Sequence, residues 1–299
     1  MTSSPRSVAA AHAVGLCLHR PRRRVPLEPF WTQFMRGAER VLADRGFSLT
    51  LQVVVDFDEE IATYRRWRET GQIAGVIVAD LVDDDGRLPV LRELGLPSLL
   101  LAPDDFTADL ATVSTEATMT MHFVMEHLAA HGHQSVARVT GPPTFLHTRE
   151  RDAEFTAEAA RLGMRVTTLA CDYTADGGAS ATSRVLALAD RPTAVIYDND
   201  VMALAGVTVM REAGLAVPHD IAVIAWDDSI QCQLASPPLT ATARDLVAYG
   251  ALAARGLLDV LDGLPPTHRR SSQPVLVVRA SSDAALAVST EGALDATAG

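Results

Sequence analysis

Short runs of apolar residues recur along the chain, separated by longer stretches in which apolar residues return every three or four positions. The runs are Ala13–Leu18, Leu49–Val55, Gly75–Ala79, Ser98–Leu101, Ser135–Thr140, Val166–Ala170, Ala194–Tyr197 and Ile221–Ala225, with a ninth at Pro274–Val278. Several are continuously apolar rather than alternating, the pattern of strands covered on both faces of a parallel sheet. The stretches between them read as helices. Phe30–Arg45 sets Phe34, Ala38, Val41 and Leu42 on one stripe and stops at Gly46. Thr115–His131, Arg149–Leu162 and Asp200–Ala213 each run up to a glycine, Gly132, Gly163 and Gly214, the residue that best closes a helix in the left-handed conformation.

Strand–helix alternation with short links means right-handed βαβ units and doubly wound parallel sheets. Eight or nine strands exceed one typical sheet, so two similar α/β lobes are expected, with a hinged cleft between them. The helix Leu246–Leu261, followed by the last strand, suggests that the C-terminal part crosses between lobes. The expected boundaries are residues 13–131 plus 243–267 for the N-terminal lobe and 132–242 plus 268–282 for the C-terminal lobe. Residues 1–12 and 283–299 read as disordered ends. In open parallel sheets ligands sit at the carboxyl ends of strands, so function is sought in the loops that follow them.

Composition narrows the class. The 299 residues are 48% hydrophobic and only 5% aromatic, which makes a largely aliphatic core. A formal net charge of −11 argues against sequence-independent attraction to nucleic acid or to anionic lipid. Cys17, Cys171 and Cys232 are far apart, fit no metal-ligand spacing and read as buried thiols in a reducing compartment. No apolar run approaches the roughly 18 residues of a membrane span. Val8–Leu18 carries His12 and is followed, not preceded, by the basic cluster Arg20–Arg24, so it reads as the lead into a strand rather than a signal segment. A cytoplasmic protein without a membrane partner is expected.

Three blocks in the second half are more specific. The first is His131-Gly132-His133-Gln134-Ser135-Val136-Ala137, then Thr140-Gly141-Pro142 and Thr148-Arg149-Glu150-Arg151. The second is Pro192 to Leu204, containing Tyr197-Asp198-Asn199-Asp200. The third runs from Val217-Pro218-His219-Asp220 through Ala225-Trp226-Asp227-Asp228 to Pro237-Pro238-Leu239-Thr240. Together they resemble the effector-binding core of the lactose/galactose repressor family (LacI/GalR), over roughly Ala13 to Ser282. The resemblance implies a type I periplasmic-binding-protein-like fold of two Rossmann-like lobes, a small-molecule effector of the sugar class, and a homodimer. A stand-alone solute-binding protein with no role in transcription is the alternative.

The resemblance also implies a site. Arg149 matches the arginine that binds effector hydroxyls or carboxylates; the plain alternative is a solvated helix residue paired with Asp152. Asn199 and Asp227 match ligand-contacting positions, and the alternative for each is loop stabilisation. Asp200 reads as a helix cap, with a ligand contact as the alternative. Trp226 and Tyr173 offer faces for a sugar ring, and Phe30 and Trp31 resemble an aromatic pair at the cleft, one of them expected in the core. Arg20 opens the loop Arg20-Pro21-Arg22-Arg23-Arg24, which is either a solvated loop or a pointer to an anionic sugar derivative. The chain departs from the family at Glu116, Thr120, Glu154 and Ile224-Ala225, which weakens transfer of any one sugar.

Other chemistry is poorly supported. There is no G-x-S-x-G elbow, no G-x-G-x-x-G and no phosphate loop, so neither an enzyme nor a cofactor is expected. His127 and His131 lie four apart but lack an intervening glutamate and a third ligand, so no metal is expected. Met1 to His12 is too short for the family's helix-turn-helix, so contact with DNA is expected only through a reader absent from this chain. The stripes Met119–Met125 and Val90–Leu94 are candidate dimer surfaces.

Overall fold

The computed structural model describes residues 12–20, 27–103, 106, 109–115 and 117–286. Most of the ends expected to be disordered, and Pro21 to Arg24 of the arginine-rich loop, lie outside these residues. By contact the chain divides into two units. The first takes residues up to 27, 31–115 and 246–271, and the second takes 28–30, 116–245 and everything from 272.

The first unit holds β1 (Ala13–His19), most of α1 (Pro29–Ala43), β2 (Ser48–Val54), α2 (Phe57–Thr70), β3 (Gly75–Val78), α3 (Arg87–Leu94), β4 (Ser98–Leu101) and β5 (Ala111–Ser114). The second holds α4 (Ala117–Ala130), β6 (Ser135–Thr140), α5 (Leu146–Leu162), β7 (Arg165–Ala170), α6 (Ala175–Leu186), β8 (Ala194–Tyr197), α7 (Asp200–Glu212), β9 (Ala222–Trp226), α8 (Ile230–Leu234) and β10 (Thr240–Ala243). The chain then returns to the first unit with α9 (Leu246–Leu261) and β11 (His268–Arg270), and ends in the second with β12 (Val275–Val277).

Each unit is built on a six-stranded sheet. The orders are β11-β5-β4-β3-β1-β2 and β12-β10-β9-β8-β6-β7, so one winding is used twice. All pairings are parallel except β10 with β12. The chain reverses its direction of winding between β1 and β3, and again between β6 and β8, and such switch points are where doubly wound sheets receive ligands.

Burial follows the apolar pattern. The central strands β3, β5, β8 and β9 are buried at every residue. α1 buries Trp31, Phe34, Gly37, Ala38 and Leu42. It meets α9 so closely that a Cβ on Gly37 or on Gly250 would overlap a backbone carbonyl of the other helix, which requires glycine at both.

Two elements group differently from the expected boundaries. α4 had been expected in the N-terminal lobe, but Met121, Val124, Met125 and Leu128 pack with Phe155, Ala159 and Trp226 of the second unit. β11 had been expected in the C-terminal lobe, but it pairs with β5 of the first sheet. An apolar stripe shows that a helix is covered without showing which sheet covers it.

Candidate functional site

The switch point of the second sheet gathers most of the residues singled out above. Trp226 ends β9 and is buried, and the Arg151 guanidinium lies 4.4 Å from its ring centroid. Arg151 is 7% exposed; its Nη1 donates to the Asp198 carbonyl at 3.4 Å and lies 3.7 Å from Asp198 Oδ2. Its Nε is buried without a hydrogen-bond partner. Arg149, the arginine picked from the sequence, is instead exposed on the first turn of α5. Two residues along a helix turn the side chain through more than half the circumference, so Arg149 and Arg151 occupy different faces.

Arg138 holds this arrangement from below. It lies within β6, is fully buried, and donates through Nε and Nη2 to the two Asp198 oxygens at 2.8 and 2.7 Å. Its Nη1 reaches Asp152. Asp152 therefore pairs with Arg138 rather than with Arg149. A bidentate pair inside a sheet fixes Asp198, and Asp198 fixes Arg151.

Asn199, buried, caps α7: its Oδ1 accepts from Met202 N at 2.8 Å, and its Nδ2 donates to the Tyr173 carbonyl at 2.9 Å. The cap had been expected at Asp200; Asn199 has the extended backbone a cap needs, while Asp200 is already the first helical residue. Tyr173 sits at φ 65°, in the left-handed region, and its hydroxyl shares hydrogen bonds with His147 Nε2 at 2.8 Å and Thr148 Oγ1 at 3.1 Å. Its ring lies against Gly141, where any Cβ would overlap the phenol. Burial pushes the His147 pKa well below the usual imidazole range, and the charges of Arg151, Arg244 and Arg138 push it the same way.

Asp227 is also left-handed, at φ 71°, and its Oδ1 accepts from Arg244 Nε at 2.9 Å and faces Arg244 Nη2 at 2.9 Å. The Arg244 guanidinium in turn lies 5.1 Å from the Phe30 ring, which groups with this unit. Trp31 is not beside it in function: it is buried in the first unit, edge-on to Phe34 at 5.6 Å. Of the expected aromatic pair, Trp31 is the core member.

The first sheet has its own polar cluster at the same edge. Glu60, fully buried on α2, accepts from Arg87 Nη1 at 2.9 Å and from Tyr64, and shares a 2.5 Å contact with His19 Nε2. Arg87 also bonds Asp85 and the carbonyls of Ala79 and Asp80. Arg20 follows β1, and its Nη1 donates to the His19 carbonyl at 2.5 Å. Burial raises the Asp80 carboxyl pKa, against the opposing pull of Arg20, His19 and Arg87.

Arg138, Arg151, Asp198, Glu60 and Arg87 carried no signal of their own in the sequence. Arg151 and Asp198 stand inside the blocks that carry the resemblance, and a charged residue inside an apolar run, such as Arg138 in Ser135–Thr140, is a further trace. His127 and His131 lie away from this edge; His127 Nε2 shares a 2.8 Å bond with Ser282, and no metal-ligand cluster is found among the described residues.

Each sheet thus carries a polar network at its carboxyl edge, and comparison with known proteins places the chain in a family. Residues 125–282 match the model of the periplasmic binding protein-like domain. The chain belongs to that family and, within it, to the LacI family of transcriptional regulators. It is similar to the crystal structure of a LacI family transcriptional regulator from Bifidobacterium animalis subsp. lactis, with 34% identity, 91% of this chain and 98% of that one covered, and a TM-score of 0.81. It resembles the transcriptional regulator CelR in complex with cellobiose at 26% identity, over 91% of this chain and 85% of that one, with a TM-score of 0.82. The HTH-type transcriptional regulator MalR of Streptomyces coelicolor is 32% identical over 71% of this chain, and the match spans 65% of that protein's length.

Proposed function

We propose that this chain is the effector-sensing, self-associating core of a LacI-type transcription regulator, and that its effector is a neutral, hydroxyl-rich molecule of the sugar class. The observation that carries this reading is the edge of the second sheet, where the buried Arg151 lies on Trp226 with its Nε unpartnered, and where Asn199 holds Tyr173. An aromatic face with fixed donors and acceptors around it suits a sugar ring. The neutral class follows from charge: Arg138, Arg151 and Arg244 face Asp152, Asp198 and Asp227. This displaces the anionic effector suggested by the arginine-rich loop, of which only Arg20 is described. The cellobiose complex of the similar CelR supports the same class.

In this reading Arg151 makes the contact first assigned to Arg149, Tyr173 and Trp226 give apolar faces, and Asp227 accepts from a ligand hydroxyl while held by Arg244. Phe30, beside Arg244, completes the contacts of this unit. The DNA-reading helix-turn-helix is placed outside the residues that carry this fold. Action in the cytoplasm goes with the role; no described helix is long and apolar enough to cross a membrane. Met119 and Phe123, each 39% exposed on α4, are the apolar residues offered for self-association, while Met121 and Met125 of the same stripe are core.

Thermal unfolding with cellobiose, maltose, ribose and glucuronate tests the effector class. A neutral sugar at a hundred times its Kd adds about 2.7 kcal/mol by mass action. Stabilisation by glucuronate alone, or by none of the four, overturns the neutral-sugar reading. Sedimentation showing only monomer at micromolar concentration overturns self-association.

A further inference from the structure

Four carboxylates described at the edge of the second sheet have cations against them. Asp198 is held through both oxygens by Arg138, Asp227 by Arg244, Asp228 by Arg279 and Asp152 by Arg138. Asp200, the first residue of α7, differs. It is 3% exposed, its Oδ1 accepts from Val201 N at 2.9 Å, and its Oδ2 is buried with no hydrogen-bond partner. A buried carboxylate oxygen without a donor is an unfavourable arrangement that native proteins rarely keep without a use for it.

Its neighbours bring no cation to that charge, and the Ser229 hydroxyl is the one facing side chain that favours it. The groups facing it come from the loop after β9 and from α8: the Asp227 carboxylate, the Ser229 hydroxyl and the Cys232 thiol, with Asp228 beyond. Arg244 and Arg279, the cations on that side, are engaged by Asp227 and Asp228. On the other side α6 meets α7 through Gly178 against Met202. Asn199, the adjacent residue first expected to touch the ligand, has its amide bound to Met202 and Tyr173. Two buried polar atoms of opposite sign thus remain unpartnered around the end of β8, Arg151 Nε and Asp200 Oδ2.

We propose that Asp200 is a specificity-determining contact for the effector, its Oδ2 accepting a hydrogen bond from a hydroxyl of a neutral sugar, and that binding requires the carboxyl to be ionised. The inference rests on the reading of this edge as a neutral-sugar site. A hydroxyl supplies the donor that Oδ2 lacks without bringing a second negative charge beside Asp227, which excludes carboxylated or phosphorylated ligands here. Burial, with Asp227 adding to it and Ser229 opposing, raises the Asp200 pKa to about 6. A sugar that binds only the ionised form must then displace a proton below that pH, so its affinity falls on acidification.

Isothermal titration of the full chain with cellobiose, maltose and ribose, at pH 7.5 and pH 5.0, tests this on the wild type and on Asp200→Asn. The sugar that binds at pH 7.5 is expected to bind about tenfold more weakly at pH 5.0, because roughly a tenth of the carboxyl stays ionised there. Asp200→Asn, checked for an unchanged far-UV spectrum, is expected to bind weakly and equally at both pH values. Equal wild-type affinity at the two pH values overturns the proposal, even without a folded variant. So does an Asp200→Asn protein that keeps both the affinity and its pH dependence. Failure of the wild type to bind any of the three sugars overturns the effector reading itself, and this contact with it.

Discussion

At the carboxyl edge of the first sheet a carboxylate, Glu60, stands at the centre with His19, Tyr64 and Arg87 around it; at the same edge of the second sheet an arginine, Arg138, stands at the centre with Asp198 and Asp152 around it. The strand orders are the same, so topology does not decide this difference. The two networks also end differently. Arg87 uses all three of its nitrogens on Asp85, Glu60 and two backbone carbonyls. Arg151, at the outer end of the second network, keeps its Nε unpartnered over Trp226. A closed network fixes a shape, whereas one with a buried open donor fixes a shape and asks for an acceptor. The same winding therefore carries a carboxylate-centred network in one unit and an arginine-centred network in the other, and the recognition proposed above is placed on the second.

Removing the centre of either network should have the largest effect. Arg87→Met leaves Glu60 and Asp85 buried without their cation, and Arg138→Met does the same to Asp198; each is expected to lose about 3–5 kcal/mol in urea unfolding. The comparison predicts a split in binding. Arg138→Met should also weaken sugar affinity, since Arg151 loses the carboxylate that orients it, and Arg87→Met should weaken it less. A reversed order would show that the recognition edge has been assigned to the wrong sheet.

The outer arginines come next. Arg151→Gln removes a charged donor from the site and is expected to lower sugar affinity by about 1.5–3 kcal/mol, tenfold or more, in titration calorimetry. Arg149→Gln, at an exposed position, should stay within about 0.5 kcal/mol. Equal losses would return Arg149 to the site.

Gly141→Ala tests the platform that Tyr173 provides. The new methyl must displace the phenol ring, at about 1–3 kcal/mol of stability. Displacing the ring also breaks the bonds to His147 and Thr148, so sugar affinity should fall with it. A stable Gly141→Ala protein with unaltered affinity would remove Tyr173 from the site.

The fold was legible because long periodic stretches and continuous apolar runs encode it directly. Nine runs marked nine of the strands to within a residue or two. The others, β5, β10 and β11, are three or four residues of small, threonine-rich or basic sequence, in which neither alternation nor an apolar run can develop. Helix α2 went unmarked because half of Phe57–Thr70 is charged, and its buried face includes Glu60 and Thr63. The site was legible only where a block of residues carried a resemblance. Asn199, Trp226, Tyr173 and Asp227 fall at the predicted edge, but choosing between Arg149 and Arg151 needs the helix phase to be known to within one residue. Arg138 and Glu60 act from inside a strand and a helix, where charge is visible in sequence but its partners are not.

The smallest effect concerns pH, and within the second unit two groups oppose each other in sign. His147, with its folded-state pKa pushed down by burial and by Arg151, Arg244 and Arg138, stays neutral where the unfolded chain, near pH 6.5, begins to take up a proton. The unfolded state then binds more protons than the folded one, so stability falls as pH drops below about 6.5. Asp200 acts the other way: its folded-state pKa of about 6 lies above the unfolded value, so the folded state holds the extra proton and gains stability below pH 6. Wild-type unfolding alone mixes the two, and the difference between wild type and His147→Gln isolates the first. Glutamine keeps a polar partner for the Tyr173 hydroxyl but cannot take a proton. Between pH 7.5 and pH 5 the wild type should lose more stability than His147→Gln by on the order of 1 kcal/mol, about 2–4 °C in Tm. Parallel curves would mean that His147 titrates freely, and that the arginines of the second edge are better screened than their geometry implies.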